Sequence, residues 1–124
     1  MTLTSAGVFG IQNLQQQDGQ LTATLSLDKN HPIFLGHFPG QPVIPGACML
    51  SLVKDVVENT LKISLQLKNA GNIKFMQMIT PDNSEALQLI ITYMPPQAGL
   101  LSLNASISNA DIACFKLQAV FLVV

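Results

Sequence analysis

A proline-rich segment constrains the fold of this chain more than any other stretch. Residues 31–46 read HPIFLGHFPGQPVIPG and hold four of the seven prolines, together with both histidines. Each proline fixes its own φ and disfavours the α region for the residue before it, so residues 36–43 cannot be helical. The sequence therefore predicts a stiff loop around His37. His31 precedes Pro32 at the entrance to this loop, where a turn or capping role is expected.

A helical pattern begins where the proline-rich segment ends. From Gly46 to Leu61, apolar residues recur every three or four positions, and no proline or further glycine interrupts them. The first amide groups of such a helix attract developing negative charge, and the imidazole of His37 can move a proton near neutral pH. The pattern fits an oxyanion site beside a base. It also fits a proline-rich turn that carries a surface histidine.

The remainder of the chain is typical of strands. Residues 8–16 and 20–28 flank an Asp-Gly turn, which predicts a hairpin. After the helix we expect a turn at residues 69–71 and strands at 72–80, 85–94, 100–108 and 112–123. Short turns make such strands antiparallel. The sequence thus predicts one α+β domain over residues 1–124, with an antiparallel sheet of about six strands wrapped around one long central helix.

The composition excludes several classes of protein. The chain has six lysines, no arginine and a net charge of −1, which argues against a nucleic-acid surface. Charged residues are only 10% of the total, and no apolar run approaches the ~18 residues that cross a membrane. We therefore expect an oligomer that buries the excess apolar surface. The first six residues lack the positive charge of a secretory signal, so we expect a cytoplasmic protein.

Cys48 and Cys114 are too few for a disulfide framework and lack neighbours at metal-ligand spacing. A buried small hydrophobic role is favoured for Cys48 over a nucleophilic one, although its place in the first helical turn could lower a thiol pKa. We expect no metal and no cofactor.

The motif at residues 31–46 resembles the signature of the β-hydroxyacyl-acyl carrier protein dehydratases of the FabA/FabZ type. That signature is roughly H-F-P-x-x-P-[VI]-x-P-G at the start of a central helix. The matching residues are His37, Phe38, Pro39, Pro42, Val43, Pro45 and Gly46. A fainter resemblance continues through residues 71–82. The resemblance implies the hot-dog fold, in which two subunits join their sheets around a pair of helices and enclose an acyl tunnel between them.

The resemblance also implies roles for individual residues. His37 would remove the α-proton of a 3-hydroxyacyl thioester, and the amide of Gly46 would polarise the thioester carbonyl. Phe38, Pro39 and Val43 would belong to the substrate-binding site.

One position departs from the family. A Glu or Asp five residues after the glycine normally supplies the acid, and this chain has Ser51 there. A serine can donate a hydrogen bond or hold a water, but it has no titratable carboxyl. Asp55 lies one helical turn further on the same face and is a possible alternative acid. A place in a solvated polar stripe with Glu58 and Lys62 is favoured for Asp55 over this acid role.

Three functions remain open at this stage. The first is a 3-hydroxyacyl thioester dehydratase that forms a 2-enoyl thioester. The second is a non-catalytic acyl-binding subunit that pairs with an active homologue. The third is a hot-dog thioesterase.

The partners implied are acyl carrier protein or coenzyme A as the thioester carrier, and a second copy or a homologue as the other subunit. An acidic carrier would need a basic surface, for which Lys54, Lys62, Lys68 and Lys74 are the candidates. Without arginine, such docking would be weak and sensitive to salt.

Overall fold

The computed structural model describes residues 2–4, 8–30, 46–80 and 86–124. In these ranges the chain forms one seven-stranded sheet and one helix. The elements in chain order are β1 (Thr2–Thr4), β2 (Phe9–Gln17), β3 (Gln20–Leu27), α1 (Gly46–Leu61), β4 (Leu65–Phe75), β5 (Leu87–Tyr93), β6 (Leu100–Asn109) and β7 (Ile112–Val123). Their order across the sheet is β1-β2-β3-β5-β6-β7-β4, and each neighbouring pair is antiparallel. The α+β prediction is confirmed, and the short β1 is an addition to it.

The alternation of side chains divides the sheet into an inner face and an outer face. Every second residue of β3, β5, β6 and β7 is apolar and buried, and these residues form one core with α1. The residues between them point the other way and are mostly Ser, Thr, Asn and Gln. Because successive side chains of a strand point to opposite faces, a slip of one residue would expose the core set. The hydrophobic pattern therefore fixes the register.

The β2–β3 hairpin turns at Asp18 and Gly19, whose φ angles of 51° and 79° are both left-handed. Such angles at both central residues match the right-handed twist of the strands, and Asp-Gly is a favoured pair for them. Gly19 is also required for space, because a Cβ there would lie 2.9 Å from the carbonyl oxygen of Tyr93. The amide of Tyr93 donates to the carbonyl of Gly19 at 2.9 Å. The predicted hairpin is thus confirmed and is held against β5.

Helix α1 has the predicted bounds and buries one stripe of its surface. The buried residues are Met49, Leu52, Val53, Val56 and Val57. The helix ends at Leu61. The next residue, Lys62, has a φ of 58°, and the amide of Ile63 donates to the carbonyl of Glu58 at 3.2 Å. This bond across a left-handed residue satisfies a carbonyl of the last turn, as in a Schellman ending.

The carboxylate of Glu58 links the end of α1 to the start of β4 by a hydrogen bond. Its Oε2 accepts a hydrogen bond from the amide of Leu65 at 2.7 Å, and its Oε1 lies 3.3 Å from Nζ of Lys54. The start of β4 is thereby fixed beside the end of α1. The opposite end of β4, at Phe75, lies beside Gly46. The helix and β4 therefore run antiparallel.

The predicted turn at residues 69–71 is wrong, and so are the limits predicted for the next strand, 72–80. A single strand, β4, continues through this region along β7, with register shifts between Leu67 and Asn69 and between Ala70 and Asn72. Each shift is a bulge that takes in one extra residue, Lys68 or Gly71. Because the long β7 supplies hydrogen-bonding partners throughout, the Asn and Gly residues bend the strand without ending it.

Candidate functional site

The first residue of α1 lies against an aromatic ring from the end of β4. A Cβ atom on Gly46 would come within 2.5 Å of Cζ and 2.6 Å of Cε1 of Phe75, so a side chain at position 46 would displace the ring. The ring packs on the buried Phe115, with 5.4 Å between the ring centroids. Phe75 nevertheless keeps 59% of its surface exposed. The helix start is therefore bordered by an apolar ring that still has an open face.

The electrostatics at this end of the helix favour a negative charge. The amide groups of a first helical turn have no partners within the helix, and the aligned peptide dipoles leave positive charge there. The first turn of α1 contains no acidic residue of its own. The apolar ring beside Gly46 limits screening by water, which strengthens such an interaction. Such a helix start is suited to stabilise an oxygen atom on which negative charge develops.

Ser51 and Asp55 lie on the side of α1 that the core does not cover. Ser51 is exposed and Asp55 is half-buried. The backbone carbonyl of Asp55 accepts a hydrogen bond from Nδ2 of Asn59 at 2.9 Å. Their spacing of one helical turn places them on neighbouring parts of one face, as predicted. Their chemical roles stay predictions.

The remaining predicted site residues lie outside the described ranges. These residues are His31, His37, Phe38, Pro39 and Val43. The structure thus describes the helix side of the candidate site. Sequence reasoning missed Phe75, although it lies in the stretch that faintly resembles the dehydratase family. A bulky aromatic residue in a strand following the helix was the available signal, but only the fold shows that it meets Gly46.

The four lysines proposed for carrier docking lie on different parts of the fold. Lys54 is paired with Glu58, Lys62 follows the end of α1, and Lys68 sits in a bulge of β4. Lys74 is opposite Lys116 on the outer face of the sheet, away from α1. Lys74 therefore lies on a different face of the single chain from Lys54 of α1.

The thiol of Cys48 is partly buried, and burial raises its pKa above the ordinary value. Burial also raises the pKa of Cys114, although a hydrogen bond with the backbone of Asn109 opposes this shift. A raised pKa disfavours the thiolate, which is the nucleophilic form. The raised pKa values therefore do not favour a nucleophilic role for either cysteine. In the described ranges, no helix is long and apolar enough to cross a bilayer.

Solved structures with the same architecture define the class of protein. A chain of the dehydratase heterocomplex ApeI:P from Xenorhabdus doucetiae superposes with a TM-score of 0.69 at 19% identity, covering 91% of this chain and 96% of that one. A hypothetical thioesterase with coenzyme A from Streptococcus pneumoniae gives a TM-score of 0.66 at 12% identity, covering 94% of this chain and 85% of that one. Likenesses at these identities show the fold alone. The fold is the hot-dog fold.

Sequence comparison gives the family within that class. Residues 13–113 match the model of the ApeI-like family, described as ApeI dehydratase. The chain is 30% identical over 101 residues to the 3-hydroxyacyl-[acyl-carrier-protein] dehydratase FabZ of Wolbachia pipientis wMel, covering 73% of this chain and 68% of that protein. It is 29% identical over 107 residues to FabZ of Oceanobacillus iheyensis, covering 80% and 75%. The chain belongs to the ApeI-like dehydratase family, and the resemblance inferred from the His37–Gly46 motif is confirmed.

Proposed function

We propose that this protein acts on 3-hydroxyacyl thioesters as a dehydratase-like lyase, with elimination of water giving the 2-enoyl thioester. The observation that carries the proposal is the start of α1. There Gly46 presents the helix amides beside the ring of Phe75, within a chain that belongs to a dehydratase family. A thioester carbonyl bound at these amides would gain stabilisation as enolate character develops.

Three groups of the protein take part in the proposed elimination. His37 removes the α-proton, and the electrons of that C–H bond form the new C=C bond. The C–O bond to the 3-hydroxyl breaks, and the hydroxyl leaves with a proton as water. The Gly46 amide stabilises the charge on the carbonyl oxygen between these events. Ser51, through its hydroxyl or a water that it holds, stands where the leaving group receives its proton.

The weak point of this mechanism is the protonation of the leaving hydroxyl. A serine hydroxyl is too weak an acid to release its proton readily near pH 7, and a missing general acid costs about 10²–10⁴-fold in rate. We therefore expect slow dehydration by the isolated protein. The alternative proposed for this step is the carboxyl of Asp55, which lies one helical turn beyond Ser51.

The second candidate is a non-catalytic partner subunit. It is favoured by Ser51 at the acid position, and by the likeness to a chain of a dehydratase heterocomplex. In that case the chain would complete an acyl tunnel with a homologue that supplies the carboxyl.

We further propose that β4 pairs with a second subunit, either another copy or such a homologue. Among the described strands β4 is an edge of the sheet, hydrogen-bonded to β7 on one side. Leu67, Ile73 and Phe75 on this strand are 40%, 38% and 59% exposed. An exposed apolar edge strand is a template for pairing with another chain. Ile73→Lys should convert the assembly to monomers in light scattering. An unchanged mass would place the interface elsewhere, and Gln66→Lys on the same strand controls for added charge.

The carrier is either acyl carrier protein or coenzyme A, and we expect the protein to work in the cytoplasm. Turnover of a 3-hydroxyacyl group on each carrier, measured at two salt concentrations, separates the carriers. Docking of an acidic carrier protein by a few lysines should weaken as salt increases.

A short-chain 3-hydroxyacyl thioester tests the function. Absorbance of the conjugated enoyl product reports dehydration, and a thiol reagent reports hydrolysis. Slow enoyl formation that is lost in His37→Ala supports the proposal. Release of thiol without enoyl product would indicate a thioesterase. Turnover in neither assay, with activity appearing only on addition of an active homologue, would establish the partner subunit.

Replacement of Ser51 tests the assignment of the acid. Ser51→Glu should raise the dehydration rate at least tenfold, because it restores a general acid worth about 10²–10⁴-fold. The side chain at position 51 is exposed, so the larger residue fits without displacing the core. Asp55→Asn is the matched control and should change little. Wild-type turnover typical of dehydratases that disappears in Asp55→Asn would show that the acid has moved along the helix.

A further inference from the structure

The outer face of the sheet carries a groove that the proposed function does not use. The groove has a volume of about 420 Å³. Its polar lining comes from four strands, and the side chains that matter here are Asn72, Lys74, Asn104, Ser106, Lys116 and Gln118. A neighbouring hollow of about 390 Å³ shares Thr92, Asn104 and Gln118 with it. Together they provide room for a ligand of small-molecule size.

Two lysines face each other across strands at one end of this groove. Lys74 of β4 is directly opposite Lys116 of β7, and both side chains are exposed on the outer face. In the part of the chain that the structure describes, neither ammonium group has a carboxylate or a hydrogen-bond acceptor as partner. Like charges that are directly opposite in an antiparallel pair destabilise a sheet. The fold therefore carries an electrostatic cost at this point.

Neutral hydrogen-bond donors surround the lysine pair. Ser106 of β6 is opposite Lys116 on its other side. One step further along the strands, Asn72, Gln118 and Asn104 form a cross-strand row of carboxamides. Two ammonium groups, a hydroxyl and three amide NH₂ groups are all able to donate to the oxygens of a phosphate. Among the described residues that line the groove, none is acidic.

We propose that this groove binds a phosphate-bearing small molecule, with a phosphate group held between Lys74 and Lys116. The bound anion would offset the repulsion of the two ammonium groups. A second copy packed face to face would bring like charges together, and two lysines are too few for a polyanion surface. The lining thus fits one phosphate, with the adjoining hollow open to the group that carries it.

The proposed site is separate from the thioester site. Adjacent residues of a strand point to opposite faces, so Lys74 points outward while Phe75 points inward to Gly46. The groove also stays open when β4 pairs edge to edge, because strand addition extends the sheet within its own plane. Phosphate binding and thioester turnover can therefore be measured independently.

Titration with inorganic phosphate, pyrophosphate and adenosine monophosphate tests the proposal, with sodium chloride of equal ionic strength as the blank. Isothermal titration should show saturable binding of at least one of these anions. At about ten times the dissociation constant, the Tm should increase by at least about 3 °C. In amide NMR spectra, the largest shifts should come from the side chains of Asn72, Asn104 and Gln118.

Lys116→Gln and Lys74→Gln should each weaken the binding at least tenfold. Without ligand, both variants should be as stable as the wild type or more stable, because each removes one of two repelling charges. This combination distinguishes lost binding from damaged folding. Lys29→Gln removes an equal charge outside the groove and should bind like the wild type.

The affinities for adenosine monophosphate and inorganic phosphate distinguish a nucleotide site from a site for the phosphate group alone. Adenosine monophosphate that binds at least tenfold more tightly than inorganic phosphate identifies a nucleotide, and equal binding identifies the phosphate group alone. Either result supports the site. No saturable binding of any of the three anions, or equal binding by wild type and Lys116→Gln, overturns the proposal.

Discussion

Replacement of Gly46 by alanine tests the contact on which the candidate site is built. The added Cβ would lie 2.5 Å from Cζ of Phe75, whereas ordinary contacts begin near 3.4 Å, so the ring must move by about 1 Å. The ring can swing toward solvent because it is 59% exposed, but it then loses contact with Phe115. An aromatic pair contributes about 0.5–1.5 kcal/mol, and overpacking costs about 1–3 kcal/mol.

We therefore expect Gly46→Ala to lower the free energy of unfolding by about 1–2 kcal/mol, after the better helix propensity of alanine is allowed for. For a domain of this size, each kcal/mol corresponds to about 4 °C in Tm. Thermal unfolding at fixed protein concentration, followed by circular dichroism, measures the change.

A double-mutant cycle isolates the contact. In a Phe75→Ala background the added methyl meets no ring, so Gly46→Ala should cost less than about 0.5 kcal/mol. Gly71→Ala is the control, since a Cβ there would have Gln118 O as its nearest neighbour at 3.9 Å. Equal effects of Gly46→Ala with and without Phe75 would refute the inferred packing.

Two further predictions concern α1. Glu58→Ala should lower the free energy of unfolding by about 1–3 kcal/mol, because it leaves the partly buried amide of Leu65 without its acceptor at 2.7 Å. Lys54→Ala should lower it by at most about 0.5 kcal/mol, because its ion pair with Glu58 is partly solvated. Similar losses for the two variants in urea denaturation would contradict this. In a Cys114→Ser variant, iodoacetamide should alkylate Cys48 more slowly than free cysteine near neutral pH, with a rate that keeps increasing as pH rises through the raised pKa. A rate that levels off near neutral pH would instead indicate an activated thiol.

Local patterns were sufficient to predict most of the fold. The helix bounds Gly46–Leu61 follow from the apolar period and the proline-rich segment before it, and the β2–β3 turn follows from Asp18-Gly19. The course of β4 could not be predicted in this way. Whether Asn69–Gly71 forms a turn or bulges within a strand depends on the hydrogen-bonding partner, and β7 lies more than forty residues away in the chain.

In the candidate site, too, the residues with local sequence signals were predicted, and the residue that depends on a long-range contact was missed. Gly46 and Ser51 were predicted because their spacing within one helix is local and matches a family motif. Phe75 was missed because its importance comes from a contact between residues 29 positions apart, which no local period records. The lysine pair on the outer face is similar, since Lys74 and Lys116 meet only through the register of β4 with β7.

The two bulges of β4 also affect newly made chains that have not yet found a subunit. A straight, apolar edge strand would pair with any extended segment and seed aggregates. The extra residues Lys68 and Gly71 interrupt the ladder and increase its twist, and Lys68 adds a charge within the edge. A flat strand from an unrelated chain cannot follow such an edge over its full length, whereas a partner with matching irregularities can. In the proposed assembly, such an edge would accept a subunit with matching irregularities and would resist fibril growth before that subunit binds.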